Sequence, residues 1–413
     1  MDSPRRCSRP QVLNAQLRLF PSLTSHEKSC FCPSMFCLLP LLILSIAAPA
    51  PALASTESVV YSFANPPDAY SPRCNLVLDA AGNMYGTTFS GGTNNLGAVF
   101  MITSTGTEKV VYSFAGGSDG SHPVAGLALN KKTGILYGTT VYGGSTNNGT
   151  VFKLNPATGA ESVLYSFLGG TDGANPYSSV VLAGANIFGT TFNGGAFGYG
   201  TVFKVTAGKE TVLHSFNSAF PTLDGSYPYA GLTLYKGILY GTTTLGGASN
   251  LGTVFSITKT GSYALLYSFK GGSNDGQGPN AGVAFDKSGN LYGTTYSGGT
   301  DNAGVVFELP AGGAETVLHH FLRNSADGIN PYASLIFFKG SFYGTTLQGG
   351  SANAGTVFKI TPADTETVLH AFTGGADGYN PYGALVLGAN KTFYSTTLQG
   401  GAPNLGVVFA VVP

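Results

Sequence analysis

The chain has 413 residues, of which 60 are glycine, 22 tyrosine and 27 phenylalanine and only 10% are charged, a composition that suits short strands and tight turns and offers no long amphipathic helix. Its formal charge is zero; without the five basic and two acidic residues of the first 54, 15 basic and 18 acidic residues remain, a charge of −3. Nucleic acid and anionic membrane are therefore not expected partners.

Residues 1–54 differ in kind from the rest. Arg5, Arg6, Arg9, Arg18 and Lys28 precede an apolar run at 35–48, and Ala52-Leu53-Ala54 supplies the small-x-small pattern of a signal-peptidase site. The expectation is an export signal at 1–54, cleaved after Ala54, and a mature chain at 55–413. Because the apolar run falls short of the roughly 20 residues a spanning helix needs, and Pro40, Pro49 and Pro51 interrupt it, no membrane span is expected after cleavage. Cys7, Cys30, Cys32 and Cys37 lie in the leader, so Cys74 alone remains and neither a disulfide nor a cysteine metal site is expected.

From residue 57 onward one unit returns seven times. The Gly-Thr-Thr segments begin at Gly86, Gly138, Gly189, Gly241, Gly293 and Gly344, with Ser395 replacing glycine in the last copy, so the period is 51 or 52 residues. Within a unit the sequence predicts four strands, for instance at 126–129, 136–140, 149–154 and 162–167, each rich in β-branched and aromatic residues and bounded by Gly, Asn, Asp or Pro. The connections are too short for crossover helices, so the strands must be antiparallel. The predicted fold is all-β, a seven-bladed β-propeller of four-stranded blades. Its closure is legible too: the mature chain opens on Val59-Val60-Tyr61-Ser62-Phe63, the phase of a fourth strand, and ends on Gly406-Val407-Val408-Phe409, the phase of a third, so the first strand is expected to complete the last blade.

After each double glycine stands Asn95, Asn147, Asn250, Asn302, Asn353 or Asn404, with Gly198 in the third copy, a pattern that predicts a left-handed backbone there. The Val-Phe pair recurs from Val99-Phe100 to Val408-Phe409 and is read as core between blades. Chain direction places the link from second to third strand and the link from fourth to next first strand on one face. The latter link carries Asp, three residues, then Pro in every copy, from Asp68 with Pro72 to Asp377 with Pro381. The favoured role is a turn in which the carboxylate accepts backbone N–H groups and proline opens the inner strand; a ring of carboxylates binding calcium is the weaker reading.

The residue after that proline varies between copies: Arg73, Val124, Tyr177, Tyr229, Asn280, Tyr332 and Tyr382. Tyrosines 177, 229, 332 and 382 are candidates for stacking on a sugar or other flat group, against the plainer role of covering the inner rim. The largest departures from the repeat lie around Phe220 and in the loop of Phe197 and Tyr199, which completes the candidate ligand-binding set. No catalytic residue, metal ligand or cofactor is assigned. The GxSxG match at 116–120 belongs to the repeated turn, and His214, His319 and His370 take the place of Tyr61, Tyr112, Tyr165 and Tyr267 in other copies.

The Tyr-Gly-Thr-Thr, Gly-Gly, Gly-Thr-Val-Phe and Leu-Tyr-Ser-Phe segments at 137–167 resemble the GloVer (Gloeobacter/Verrucomicrobia) tandem repeat of exported bacterial proteins, and the resemblance covers about residues 57–412. It implies a secreted or surface-displayed repeat protein without established catalytic activity, often with a C-terminal anchoring segment. Here the chain stops at Pro413 after the last strand, which favours a secreted or periplasmic location over surface retention. The expected function is thus a non-enzymatic, monomeric binding module for a surface polysaccharide or protein. The alternative is a propeller lyase or hydrolase at the channel mouth, with Asp119 or Asp224 and a histidine as acid and base.

Overall fold

The computed structural model describes residues 56–219, 223–324 and 326–413. The expected leader at 1–54 lies outside them. Seven antiparallel sheets form the blades of a propeller. The first blade runs from the channel outward through Val77–Leu78, Met84–Gly91, Ala98–Ile102 and Glu108–Ser113. The seventh comprises Val386–Leu387, Phe393–Gln399 and Val407–Val411, and its outermost strand is Glu57–Ser62, the first strand of the described residues. That pairing runs from Glu57 opposite Val411 to Ser62 opposite Val407, so the ring closes as the phase of its termini predicts.

The repeated residues explain the repeated geometry. Each Val-Phe pair lies in a third strand with both side chains buried, and its phenylalanine sits opposite the glycine of Gly-Thr-Thr, as in Gly138 opposite Phe152. A methyl group on Gly138 would come within 2.6 Å of the Phe152 ring, so the strand must be bare there for the ring to lie down. On its other side each of these rings takes an edge from the phenylalanine ending the preceding blade, with centroids 5.0–5.3 Å apart at all seven junctions, Phe63 on Phe100 to Phe372 on Phe409. Such pairs contribute about 0.5–1.5 kcal/mol each beyond area burial.

Two further contacts cross every or nearly every junction. Each proline of the Asp-x-x-x-Pro segment packs on the glycine opening the preceding blade's third strand; a Cβ there would lie 2.4–2.7 Å from the proline Cδ, from Gly97 with Pro123 round to Gly406 with Pro72. The first threonine of Gly-Thr-Thr donates its hydroxyl to an inner carbonyl of the next blade at six junctions, ending with Thr396 to the Cys74 carbonyl at 3.0 Å.

The inner strands are shorter than predicted, two or three residues instead of four. The proline does not open them: it precedes each by five residues, in an extended segment beside the second strand. It is fixed there by the neighbouring blade's glycine, a contact between repeats that one repeat cannot reveal. The asparagines after the double glycines are left-handed, with φ from 53 to 61°, and Gly198 has φ 81°. Each asparagine's Oδ1 accepts the N–H of the glycine four residues earlier, as Asn147 does from Gly143 at 2.9 Å, which is why asparagine serves better than other residues in this region.

Candidate functional site: the aromatic mouth of the channel

The recurrent aspartates are held at the blade junctions by clasps. Asp119 accepts the Tyr112 hydroxyl at 2.7 Å and the Ala115 N–H at 2.6 Å. Tyr61, Tyr165 and Tyr267 bind Asp68, Asp172 and Asp275 in the same way at 2.8–2.9 Å. A β-bulge in each outer strand, such as that between Val163 and Tyr165, turns the tyrosine toward its aspartate. His214 replaces tyrosine in this clasp, its Nε2 2.6 Å from Asp224, and His370 does so at 3.3 Å from Asp377. The turn role read for the aspartates therefore describes their bonding, with an outer-strand side chain added that the sequence reading did not anticipate.

The variable residues meet in the centre instead. Arg73, Tyr177, Tyr229, Asn280, Tyr332 and Tyr382 line the channel. The Tyr229 and Tyr382 hydroxyls bond across it at 2.8 Å, the Tyr332 and Tyr382 rings lie 4.5 Å apart, and Tyr177 stacks on Tyr229 at 5.2 Å. The four tyrosines so constrict the mouth that a cavity of about 70 Å³ remains, room for water. Burial pushes the Tyr177 hydroxyl up to about 12, with Tyr142 and Tyr229 adding to it. Burial raises Tyr332 and Tyr382 further still, and the neighbouring tyrosines reinforce the shift, so these hydroxyls stay protonated donors.

From this cluster aromatic rings extend outward on the same face. Tyr177 and Tyr229 both touch Phe192, Phe192 touches Tyr227 at 5.0 Å, and Tyr227 touches Tyr199 at 5.7 Å. On the other side His122 lies between Phe89 and Tyr142, at 4.7 and 5.7 Å, and the Arg73 guanidinium covers Phe89 at 4.6 Å. Arg73 Nε is buried without a hydrogen-bond partner. Burial also holds His122 below the usual histidine range, so its ring is neutral near pH 7.

Of the sequence candidates, tyrosines 177, 229, 332 and 382 and Tyr199 belong to this connected surface. Phe197 stands apart, 54% exposed, in the loop leading to Tyr199. Phe220 lies outside the described residues. Sequence reasoning missed Phe192, Tyr227, His122, Phe89 and Arg73. For the first four the signal was present in two other variable columns, the residue following Gly-Thr-Thr and the residue preceding the proline; Arg73 stands in the same post-proline column as the tyrosines.

That second column is informative about cost. The residue before proline is left-handed in all seven copies: Ser71, His122, Asn175, Tyr227, Gly278, Asn330 and Asn380, with φ between 54 and 64°. Asn175, Asn330 and Asn380 also donate Nδ2 to a carbonyl of the preceding blade, at 3.1, 2.7 and 2.7 Å. His122 and Tyr227 occupy the same strained backbone without that cross-blade bond, and both rings join the aromatic surface. A non-glycine residue in this region costs about 1–2 kcal/mol, and a bond forgone about 0.5–1.5 kcal/mol.

The Gloeobacter/Verrucomicrobia repeat matches twice, over residues 50–195 and 183–409. The chain belongs to this repeat family. Among solved structures, the repeat protein is similar to an extracellular domain described as that of a one-component system from B. thetaiotaomicron, at 10% identity and a TM-score of 0.53, over 84% of this chain and 39% of that one. It also matches a protein from Bacteroides uniformis provisionally described as a 6-phosphogluconolactonase (15% identity, TM-score 0.49, 76% and 88% of the two chains) and a chain of the nidogen/laminin complex (16%, 0.42, 70% and 94%). These likenesses concern the fold alone. A search of curated proteins returns no match.

Proposed function

We propose that this protein is an exported, non-enzymatic binding module that takes a flat ligand, a surface polysaccharide in the first instance, on the aromatic surface around its channel mouth. One observation carries the reading: where the blades differ from one another, rings accumulate on one face, and two of them, His122 and Tyr227, take the left-handed position at which three other copies hold an asparagine bonded to the preceding blade. Strain kept against the repeat's own preference is a mark of a working surface. Aromatic faces stack on the apolar faces of sugars, and tyrosine hydroxyls supply polar contacts. The cavity of about 70 Å³ is below the roughly 300 Å³ of common ligand pockets, so the ligand rests on the tyrosines and does not enter the channel.

The enzymatic alternative would draw on carboxylates such as Asp119 and Asp224, but these are engaged in clasps at the blade junctions. The described channel lining offers an arginine, amides and the hydroxyls of tyrosines and of Ser178, Ser179 and Ser334, with no carboxylate or imidazole among its lining residues. The test is a glycan array with residues 55–413. A defined set of polysaccharides should bind, and Tyr177→Ala with Phe192→Ala should weaken binding at least tenfold with the fold intact by circular dichroism. Blank arrays, or binding indifferent to both substitutions, would remove this reading.

A further inference from the structure

Six of the seven junctions add a glutamate from the next blade's outer strand to the aspartate clasp: residues 57, 108, 161, 210, 315 and 366, each with Oε1 buried and unpartnered. At the junction between fifth and sixth blades the clasp residue is also exchanged, histidine for tyrosine. There His319, Asp327 and Glu366 bring one ligand atom each within 4.8 Å of one another, which no other such trio does among the described residues.

We propose that His319, Asp327 and Glu366 bind a single divalent transition-metal ion of the Zn²⁺ or Mn²⁺ class. This rests on the clasp alone and is independent of the aromatic surface. His319 Nε2 lies 3.5 Å from Asp327 Oδ2, too long for a sound hydrogen bond, whereas the corresponding tyrosine clasps close to 2.7–2.9 Å. Two ligands each about 2.1 Å from a tetrahedral ion stand about 3.4 Å apart, so the opened spacing is that of a shared cation. His319 Nε2 and Glu366 Oε1 are both buried and without hydrogen-bond partners, two orphaned atoms that a cation would satisfy.

The surroundings match a metal ligand set. Asp327 is fixed by the N–H groups of Leu322 and Gly328 at 2.8 and 2.6 Å, and the Asp364 carboxylate stands 3.7 Å from His319 Nδ1, beyond hydrogen-bond reach, on the side of the ring away from Nε2. One imidazole and two carboxylates give a donor set for zinc or manganese, and two negative charges balance a divalent ion. The other histidine clasps differ. His214 closes on Asp224 at 2.6 Å and stacks on Tyr263, which stands where the other junctions have glutamate. At the junction between sixth and seventh blades, the Thr373 hydroxyl donates to Asp377 Oδ1 at 2.5 Å.

The repeat itself supplies the decisive variant. His319→Tyr restores the residue found in four other clasps, so it should fold without metal and keep the metal-free Tm of the parent. Calorimetric titration of the chelator-treated 55–413 chain with Zn²⁺, and separately with Mn²⁺, should give one ion per chain for at least one of them and a rise in Tm. His319→Tyr and Glu366→Gln should abolish that binding, and His370→Tyr should leave it unchanged. No saturable binding of either ion, or binding that survives His319→Tyr, would overturn the assignment.

Discussion

The blade junctions and the channel mouth are made from the same repeat, yet they treat it in opposite ways. At the junctions the seven copies agree: a phenylalanine edge on a phenylalanine face, a proline on a glycine, a tyrosine or histidine facing an aspartate. At the mouth they disagree, since one column holds arginine, valine, tyrosine and asparagine, and another holds serine, histidine, asparagine, tyrosine and glycine. A closed ring requires each blade to fit its neighbour, so the contacts that set the angle between blades must be alike all round. The mouth sets no angle, and its residues are free to differ where a ligand lacking sevenfold symmetry would need them to.

The sharpest way to break the comparison is at the closing junction. Gly406→Ala would place a methyl group 2.5 Å from the Thr397 carbonyl oxygen and 2.7 Å from Pro72, at φ 99°. Left-handed strain of about 1–2 kcal/mol and overpacking of about 1–3 kcal/mol should together lower stability by roughly 2–5 kcal/mol in urea denaturation. An effect under about 1 kcal/mol would mean that the proline–glycine contact does not hold the ring.

Junction electrostatics give the next largest effect, because it is repeated. Burial, then the adjacent Asp119, pushes Glu161 up to about 8, and the equivalent glutamates at 57, 108, 210 and 315 rise to about 7 by burial and their own aspartates. A carboxyl whose folded value lies above its unfolded one stabilises fully below the unfolded value, and that contribution is lost as pH rises through the folded value. Tm should therefore fall steadily from about pH 4.5 to pH 8, and Glu161→Gln should flatten the upper part of the curve. A Tm that climbs over this range would show that the pairs are solvated.

The junctions were also the more legible region. The period, the strand phase at both termini and the Asn-Gly alternation at 95 to 404 determine blade count, closure and turn geometry, because each is a backbone requirement that narrows the choice of residue. What escaped the sequence depends on contacts between copies: that each proline lies five residues ahead of its strand, that Tyr165 reaches Asp172, and that Glu161 approaches Asp119. The mouth was half legible. Tyrosine after proline stands out as a variable column, but that Tyr229 and Tyr382, 153 residues apart, would touch across the axis follows only from a closed ring.

One exception inside the conserved region sharpens the contrast. The seventh blade has Ser395 where the others have glycine, and the segment between Pro381 and the same blade's inner strand answers with Gly383 where four others have alanine. The Ser395 hydroxyl donates to the Gly383 carbonyl at 2.8 Å, and a Cβ on Gly383 would lie 2.9 Å from that hydroxyl and 2.4 Å from the Cys74 carbonyl oxygen. Gly383→Ala should thus cost about 1–3 kcal/mol by overpacking. If the two positions are coupled, Ser395→Gly in the same chain should return part of it, and a double-mutant cycle in urea should give a coupling above about 0.5 kcal/mol. Strict additivity would place the whole cost on the Cys74 carbonyl and the Thr396 hydroxyl, which a Cβ there would also approach, to 2.9 Å.

The smallest expected effect separates the two regions most directly. His122→Asn and Tyr227→Asn give the fourth-to-first links the residue that Asn175, Asn330 and Asn380 hold in the same left-handed backbone, with an amide able to reach the preceding blade. Asparagine tolerates this conformation better than an aromatic ring and gains a bond worth about 0.5–1.5 kcal/mol. Each substitution should therefore raise stability by about 1 kcal/mol. Each also removes a ring from the surface proposed to hold ligand, Tyr227 from between Phe192 and Tyr199, and His122 from between Phe89 and Tyr142. Stability that rises while glycan binding falls would identify the strain as retained for recognition. Stability that falls in both variants would mean that the rings are core, and the mouth would then belong to the same closing machinery as the junctions.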